Sequence, residues 1–278
     1  MSPVDAGVRG RSLRGHLHAV AALDARGQTI LRDQSFRAPF HLSKPHLESD
    51  TLVINLVSPT AGLFDGDEAD LALTVEAGAR AVLTTPSACR IHPSRSGQPA
   101  VLRQQITVHQ QGFAEYFPEL LIPHRGARYR QETTLRLEPG GTLLYFEWLA
   151  PGRVAHGESF AYAQLDWCAD FWIGPTLAAR ERYALRPDTA SLAGLRGAFP
   201  DGHYLGCFVA GDLPFPQQTI DALNSEDVLI GAGPLAAAGA WTIKALCRDN
   251  LTARRTLGAL RAALYQALAR PMPALRRH

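Results

Sequence analysis

The stretch LALTVEAGARAVLTTP, Leu71 to Pro86, decides the fold. Leu71, Leu73 and Val75 alternate with smaller or polar residues, and a period of two turns one face of a strand inward. A polar turn holding Gly78 follows, then a second apolar run. The same succession returns in RQQITVHQQGFAEYFPE (103–119), around Gly112, and in TTLRLEPGGTLLYFEW (133–148), around Gly140 and Gly141. The equivalent positions Leu73, Ile106 and Leu135 lie 33 and 29 residues apart, about the length of one supersecondary repeat. Turns of this kind join neighbouring strands, so each repeat reads as a strand pair. Stacked pairs sharing one elongated core predict a mainly β protein, β-helix-like or layered, with a few C-terminal helices.

Working outward, ESFAYAQLDWCADFWIGPTLAARERYAL (158–185) reads as a looser fourth copy turning at IGPT. Further strands are expected at 202–211, 227–233 and 241–247, and a short helix within 214–225 opened by Pro216. The strongest helix signal is DNLTARRTLGALRAALYQALARP (249–271). Asp249 or Asn250 can cap it, Leu257, Leu260, Leu264 and Leu268 recur at helical spacing, and Pro271 stops it. That leucine face either packs on the protein's own sheet or meets a partner. The whole chain, 1–278, is expected to form one domain: a β-rich body over about 12–248 and the helical segment over about 249–271.

Composition narrows the function classes. Apolar residues are 46% and charged residues 19% of 278, which fits a folded chain rather than a disordered one. A formal charge of +2 gives no electrostatic footprint for nucleic acid. The four cysteines, Cys89, Cys168, Cys207 and Cys247, are scattered without a Cys-x-x-Cys pair, which argues against a disulfide scaffold and for a reducing cytoplasm. The start, MSPVDAGVRGRSLRGHL, lacks the apolar core of an export signal, and no stretch approaches the roughly 20 apolar residues of a membrane helix. The phosphate loop, the dinucleotide fingerprint, His-Glu-x-x-His and Gly-x-Ser-x-Gly are all missing from the sequence.

Metal-capable groups are dispersed. Cys89 and His92 form a Cys-x-x-His pair, and His203 and Cys207 a His-x-x-x-Cys pair; a closed zinc site would need the two pairs to meet. Cys207 beside Gly206 and Phe208 also reads as a small buried strand residue. His41 and His46 read as surface histidines. The turn SPTAGLFDGDEADL (58–71) gathers Asp65, Asp67, Glu68 and Asp70 but has no distal glutamate of a calcium loop. Its acids either keep a turn soluble, or Asp67 points inward and needs hydrogen-bond donors or a cation.

These residues resemble the urease accessory protein D family. Its motif, roughly Pro-x-Gly-Gly-Leu/Val-Val-Gly-Gly-Asp, stands here as Pro59 to Asp67, with Ala61 and Asp65 in place of glycines. The family's Thr-Lys-x-Tyr-Arg-Ser is replaced by Cys89-Arg90-Ile91-His92-Pro93-Ser94. The pattern Glu-x-Leu-x-x-Gly-Arg-x-x-x-Gly-Glu is kept as Glu147, Leu149, Gly152, Arg153, Gly157 and Glu158. The resemblance covers residues 36 to 185 well. It implies a predominantly β, non-catalytic scaffold that helps insert nickel into apo-urease with accessory proteins F and G, and that binds no cofactor tightly. It implies a polar passage that nickel crosses transiently, and a contact with accessory protein F through C-terminal helical structure, for which Leu257, Leu260, Leu264 and Leu268 are the candidate face.

A passage needs exchangeable oxygen ligands rather than a tight thiolate cage, so Asp67, Glu147 and Glu158 are the first candidate metal residues and Cys89 and His92 the second. Gly62 and Gly66 serve tight turning, and Gly152, Arg153 and Gly157 the second motif. Glu147 has an equal alternative as an ion-pair partner of Arg153 or Arg128. Two other readings stay open: a β-solenoid enzyme acting on carbohydrate with two carboxyls across a groove, and an interaction scaffold with an apolar interior and no nickel role.

Overall fold

The computed structural model describes residues 12–187 and 197–275; the N-terminal stretch to residue 11, read above as lacking an export signal, and both ends of the expected domain lie outside them. In chain order the strands are β1 (Arg14–Leu23), β2 (Thr29–Arg37), β3 (His41–Leu42), β4 (His46–Glu48), β5 (Thr51–Val57), β6 (Glu68–Val75), β7 (Arg80–Thr84), β8 (Cys89–Ile91), β9 (Ala100–Val108) and β10 (Phe113–Phe117). They continue with β11 (Leu121–Pro123), β12 (Arg128–Leu137), β13 (Thr142–Leu149), β14 (Gly152–Arg153), β15 (Glu158–Ser159), β16 (Gln164–Ile173), β17 (Thr176–Leu185), β18 (His203–Ala210), β19 (Val228–Pro234) and β20 (Ala240–Cys247). Helix α1 spans Gln217–Asp221 and α2 spans Asn250–Ala267.

Among the described residues these strands form a seven-stranded sheet, an eleven-stranded sheet and a small ribbon of β14 with β15. The repeats stack as a β-solenoid-like arrangement, as their spacing predicts. Leu73 of β6 stands beside Ile106 of β9, and Ile106 beside Leu135 of β12, in parallel register. The row continues to Phe171 of β16, which brings the looser fourth copy into line. In the second sheet the matching row is Ile54, Leu83, Tyr116 and Tyr145, again parallel.

One expectation is corrected. The glycine turns of the three repeats do not join hydrogen-bonded neighbours: β6, β9 and β12 lie in the first sheet, while β7, β10 and β13 lie in the second. Each turn is an arch that carries the chain from one layer to the other. The arches stack on each other through main-chain bonds such as Phe113 N to Ala79 O and Thr142 N to Gly112 O, so the donors a hairpin would use are spent between repeats. Only the fourth copy folds back as a true antiparallel hairpin, β16 with β17, and there the parallel stack ends. At the other end the hairpin β1–β2 closes the first sheet.

The two layers differ in how they are buried. Strands of the first sheet alternate between buried and solvent-facing residues, whereas β10 is buried throughout and β13 nearly so. The second sheet is therefore the middle layer, as the apolar runs FAEYF and LLYFEW require. One of its faces meets the first sheet around Leu83, Leu143 and Tyr145; the other packs Phe117, Leu144 and Phe146 against α2. Asp249 caps α2 by accepting the Thr252 main-chain N–H at 2.8 Å. Leu257, Leu260 and Leu264 are buried and Leu268 packs beside them, so this leucine face covers the protein's own sheet.

Candidate functional site

Between the two layers the alternation that should place only apolar side chains inward places amides and hydroxyls. Gln104 follows Leu102 on β9, and Gln131 and Thr133 precede Leu135 on β12; all three are buried. Burial requires partners, and they find them in one another. Gln104 donates to the Tyr116 hydroxyl at 2.9 Å and accepts from the Tyr145 hydroxyl at 3.0 Å and from Thr133 at 3.0 Å. Gln131 accepts from the Tyr129 hydroxyl at 2.8 Å and donates to Gln104 at 3.1 Å. Burial holds the phenols of Tyr116, Tyr129 and Tyr145 in their neutral form.

This polar band forms part of the wall of a cavity of about 80 Å³. Among the described lining residues two are acidic, Glu119 and Glu147; Cys89, Trp148 and Trp167 line it too. Glu147 projects from β13 and accepts the Trp167 indole N–H across the layers at 2.7 Å. Opposite it on β18 stands Gly206, where a Cβ would lie 3.2 Å from Glu147 Oε2 and 3.0 Å from the Tyr204 hydroxyl. Beyond lie Glu181, Tyr183 and Tyr204, with Lys244 on Glu181. Burial, then the Glu181 charge, push the Glu147 carboxyl up to about 8, so at neutral pH it is mostly a neutral acid. Such a group can give up its proton when a cation arrives.

A second region gathers three sequence motifs. Leu63, Ile91 and Pro123 are linked in parallel, and β14 follows on. The chains approach so closely that a Cβ on Gly62 would sit 2.1 Å from Arg90 O, and one on Gly152 2.1 Å from Glu158 O; only glycine fits either position. Outside this ladder Phe64 stacks on His92 with ring centroids 4.1 Å apart, and His124 meets His92 edge to face at 4.8 Å. Burial and then the Arg153 charge lower the His124 value to about 4. Arg153 grips Glu158 with two bonds of 2.8 and 2.6 Å, which holds that carboxyl down to about 2.

A family model described as UreD urease accessory protein matches residues 13–278. The chain belongs to that family. It is 38% identical to the urease accessory protein UreD of Opitutus terrae over 264 residues, 92% of this chain and 96% of that protein. It is 33% identical to the UreD of Halalkalibacterium halodurans over 58% of this chain and 61% of that protein. With the UreD of Deinococcus radiodurans it shares 33% over 67% of each.

In this UreD chain the candidate metal residues do not come together, and among the described residues no cluster of three or more His, Cys, Asp or Glu side chains could hold a metal ion. Asp67 does point inward, but both oxygens are taken by main-chain N–H groups, Leu13 at 2.7 Å and Phe64 at 2.8 Å. It pins its own turn and leaves no oxygen free for a cation. Asp65 does the same for residues 94–96, accepting from Ser94, Arg95 and Ser96. Glu158 is engaged by Arg153, with Gly157 closing the intervening turn, and is not among the residues that line the interlayer cavity. Cys89 is in the wall, but burial pushes its thiol up to about 12, so it is no thiolate at neutral pH.

His92 lies instead on the outer Phe64 stack, and Gly66, at a φ of 75°, turns the chain into Asp67. His203 and Cys207 do not pair with Cys89 and His92: His203 accepts the Trp148 indole N–H at 3.3 Å, and Cys207 is a buried strand residue. Of the oxygen ligands predicted, Glu147 alone faces the cavity, and it pairs with neither Arg153 nor Arg128. The leucines of α2 are likewise corrected as a partner face, because they are core. Sequence reading missed Glu119 and the Gln104–Gln131 band. The signal for the band was present, amides at inward positions of an otherwise apolar alternation.

Proposed function

We propose that this UreD chain is a non-catalytic cytoplasmic scaffold in the complex that inserts nickel into apo-urease, working with accessory proteins F and G. Nickel crosses the interlayer cavity transiently, and no cofactor stays bound. The observation that carries this reading is a cavity into whose largely apolar wall Gln104, Gln131, Tyr116, Tyr145 and Glu147 bring amide, hydroxyl and carboxyl groups, in a family named for assisting urease. A scaffold with no metal role would be expected to close an apolar interior. Neutral oxygen donors bind a divalent ion weakly enough to release it, and Glu147 adds a charge only when its proton leaves.

Accessory protein F then meets the outward face of α2. Leu251, Arg255, Gly258, Ala259 and Ala262 are exposed there, on the side opposite the buried leucines. The test is co-expression with tagged accessory protein F, followed by size exclusion and the nickel content of co-expressed urease. Ala259→Glu is expected to dissociate the complex while leaving the chain folded. Glu147→Gln is expected to keep the complex and lower nickel loading. An intact complex with Ala259→Glu refutes the docking face, and full nickel loading with Glu147→Gln refutes the passage.

A further inference from the structure

In each repeat the chain returns from the second sheet to the first at the end opposite the glycine arches, and these returns stack as the arches do. Leu63, Ile91 and Pro123 share one parallel row. The residues that follow them, Phe64, His92 and His124, therefore fall into a column of three rings. Phe64 and His92 lie face to face, 1° from parallel, and His124 closes on His92 edge to face. His124 is buried, His92 half-buried and Phe64 44% exposed, so the column ends on an open aromatic face.

Charge is divided unevenly around it. The acids of the returns turn to donors within the fold: Asp65 to residues 94–96, Asp67 to the Leu13 and Phe64 main-chain N–H groups, and Glu158 to Arg153. Arg90, Arg95 and Arg125 stay exposed. Burial comes first in lowering the His124 value; of the charges around it, Arg153, His92 and Arg90 lower it further and Glu158 alone raises it. What this edge shows to solvent is an aromatic face with a cationic rim.

We propose that this edge is the docking site for an acidic surface of apo-urease. An apolar or aromatic side chain of the partner continues the column past Phe64, and its carboxylates meet Arg90 and Arg125. Aromatic residues and arginine are the side chains enriched in protein interfaces. The stack on His92 and the ladder beneath it fix Phe64 before a partner arrives, so docking costs little side-chain ordering. The rim steers an acidic partner in and turns a basic one away. A small anion would use the arginines and leave the open face of Phe64 without a role. The site rests on the reading of this chain as a nickel-handing scaffold: such a chain has to touch apo-urease, and the outward face of α2 is given to accessory protein F.

The test is biolayer interferometry of purified apo-urease on the immobilised full chain, at low and high salt. Wild type is expected to bind, and to bind more weakly as salt rises. Phe64→Ala and Arg90→Glu are each expected to weaken binding roughly tenfold or more with unchanged circular dichroism, and Phe64→Trp to keep it. Arg26→Glu, in the β1–β2 turn at the arch end, is expected to bind as wild type does. Wild-type binding by Phe64→Ala or Arg90→Glu overturns the docking site and leaves the scaffold reading standing, as does an equal loss in Arg26→Glu. A wild-type chain that does not bind apo-urease at all overturns both.

Discussion

Two buried carboxylates on opposite faces of the middle sheet show how differently the same group can be used. Glu115 of β10 faces α2 and has its charge answered in full: Arg261 donates two bonds of 2.6 and 2.8 Å, and the Tyr265 hydroxyl a third of 2.7 Å. Arg261 spends its remaining donors on Pro273 O at 3.2 Å and lies over the Phe117 and Tyr265 rings. Glu147 of β13 faces the cavity and accepts from Trp167 and Tyr145, and the charge that acts on it most is that of another acid, Glu181. A buried carboxylate matched to a cation fixes the position of an element. One left without a cation stores a proton and remains available for chemistry.

The sharpest way to break this contrast is to remove the cation. Arg261→Ala leaves Glu115 charged and unmatched beneath the helix, and should cost about 3–5 kcal/mol in urea unfolding; a loss under about 1 kcal/mol would mean the pair does not anchor α2. Leu264→Ala, in the same interface, should cost about 2–5 kcal/mol by cavity formation, confirming in the same assay that the helix is core.

Glu147→Gln should be mild, about 1 kcal/mol or less at pH 5, because an amide still accepts from Trp167. Its signature is in the pH dependence. Since the folded value of about 8 lies above the ordinary 4.5, the folded chain retains a proton that the unfolded chain loses. The stability this gives is complete below about pH 4.5 and declines as the pH rises through about 8. Stability measured from pH 5 to 9 should therefore fall more steeply in wild type than in Glu147→Gln; parallel curves would contradict the neutral acid.

The stacking was legible because parallel in-register strands force equivalent residues to recur, so Leu73, Ile106 and Leu135 announced their own neighbours. Which strands would pair was not legible. A glycine turn between two apolar runs has the same local chemistry whether it closes a hairpin or arches between layers, and only the contacts between repeats decide. The leucine stripe of α2 was readable as amphipathic, but amphipathicity names a buried face without naming what covers it. Arg261 was not legible as an anchor, because nothing local to an arginine reveals a glutamate 146 positions earlier. Among the acids, Asp67 and Glu158 looked as suited to a metal as Glu147 did. What separates them is the donors waiting around each, the main-chain N–H groups at Asp67 and the guanidinium at Glu158. Those donors come from other parts of the fold.

The central claim is that Glu147 serves the passage of metal and not the stability of the fold. The direct measurement is the nickel content of urease purified from cells in which this chain, wild type or Glu147→Gln, is the sole UreD, at matched soluble levels. The account predicts a variant that is folded and complex-forming but loads urease at least tenfold less. Nickel loading equal to wild type would contradict it.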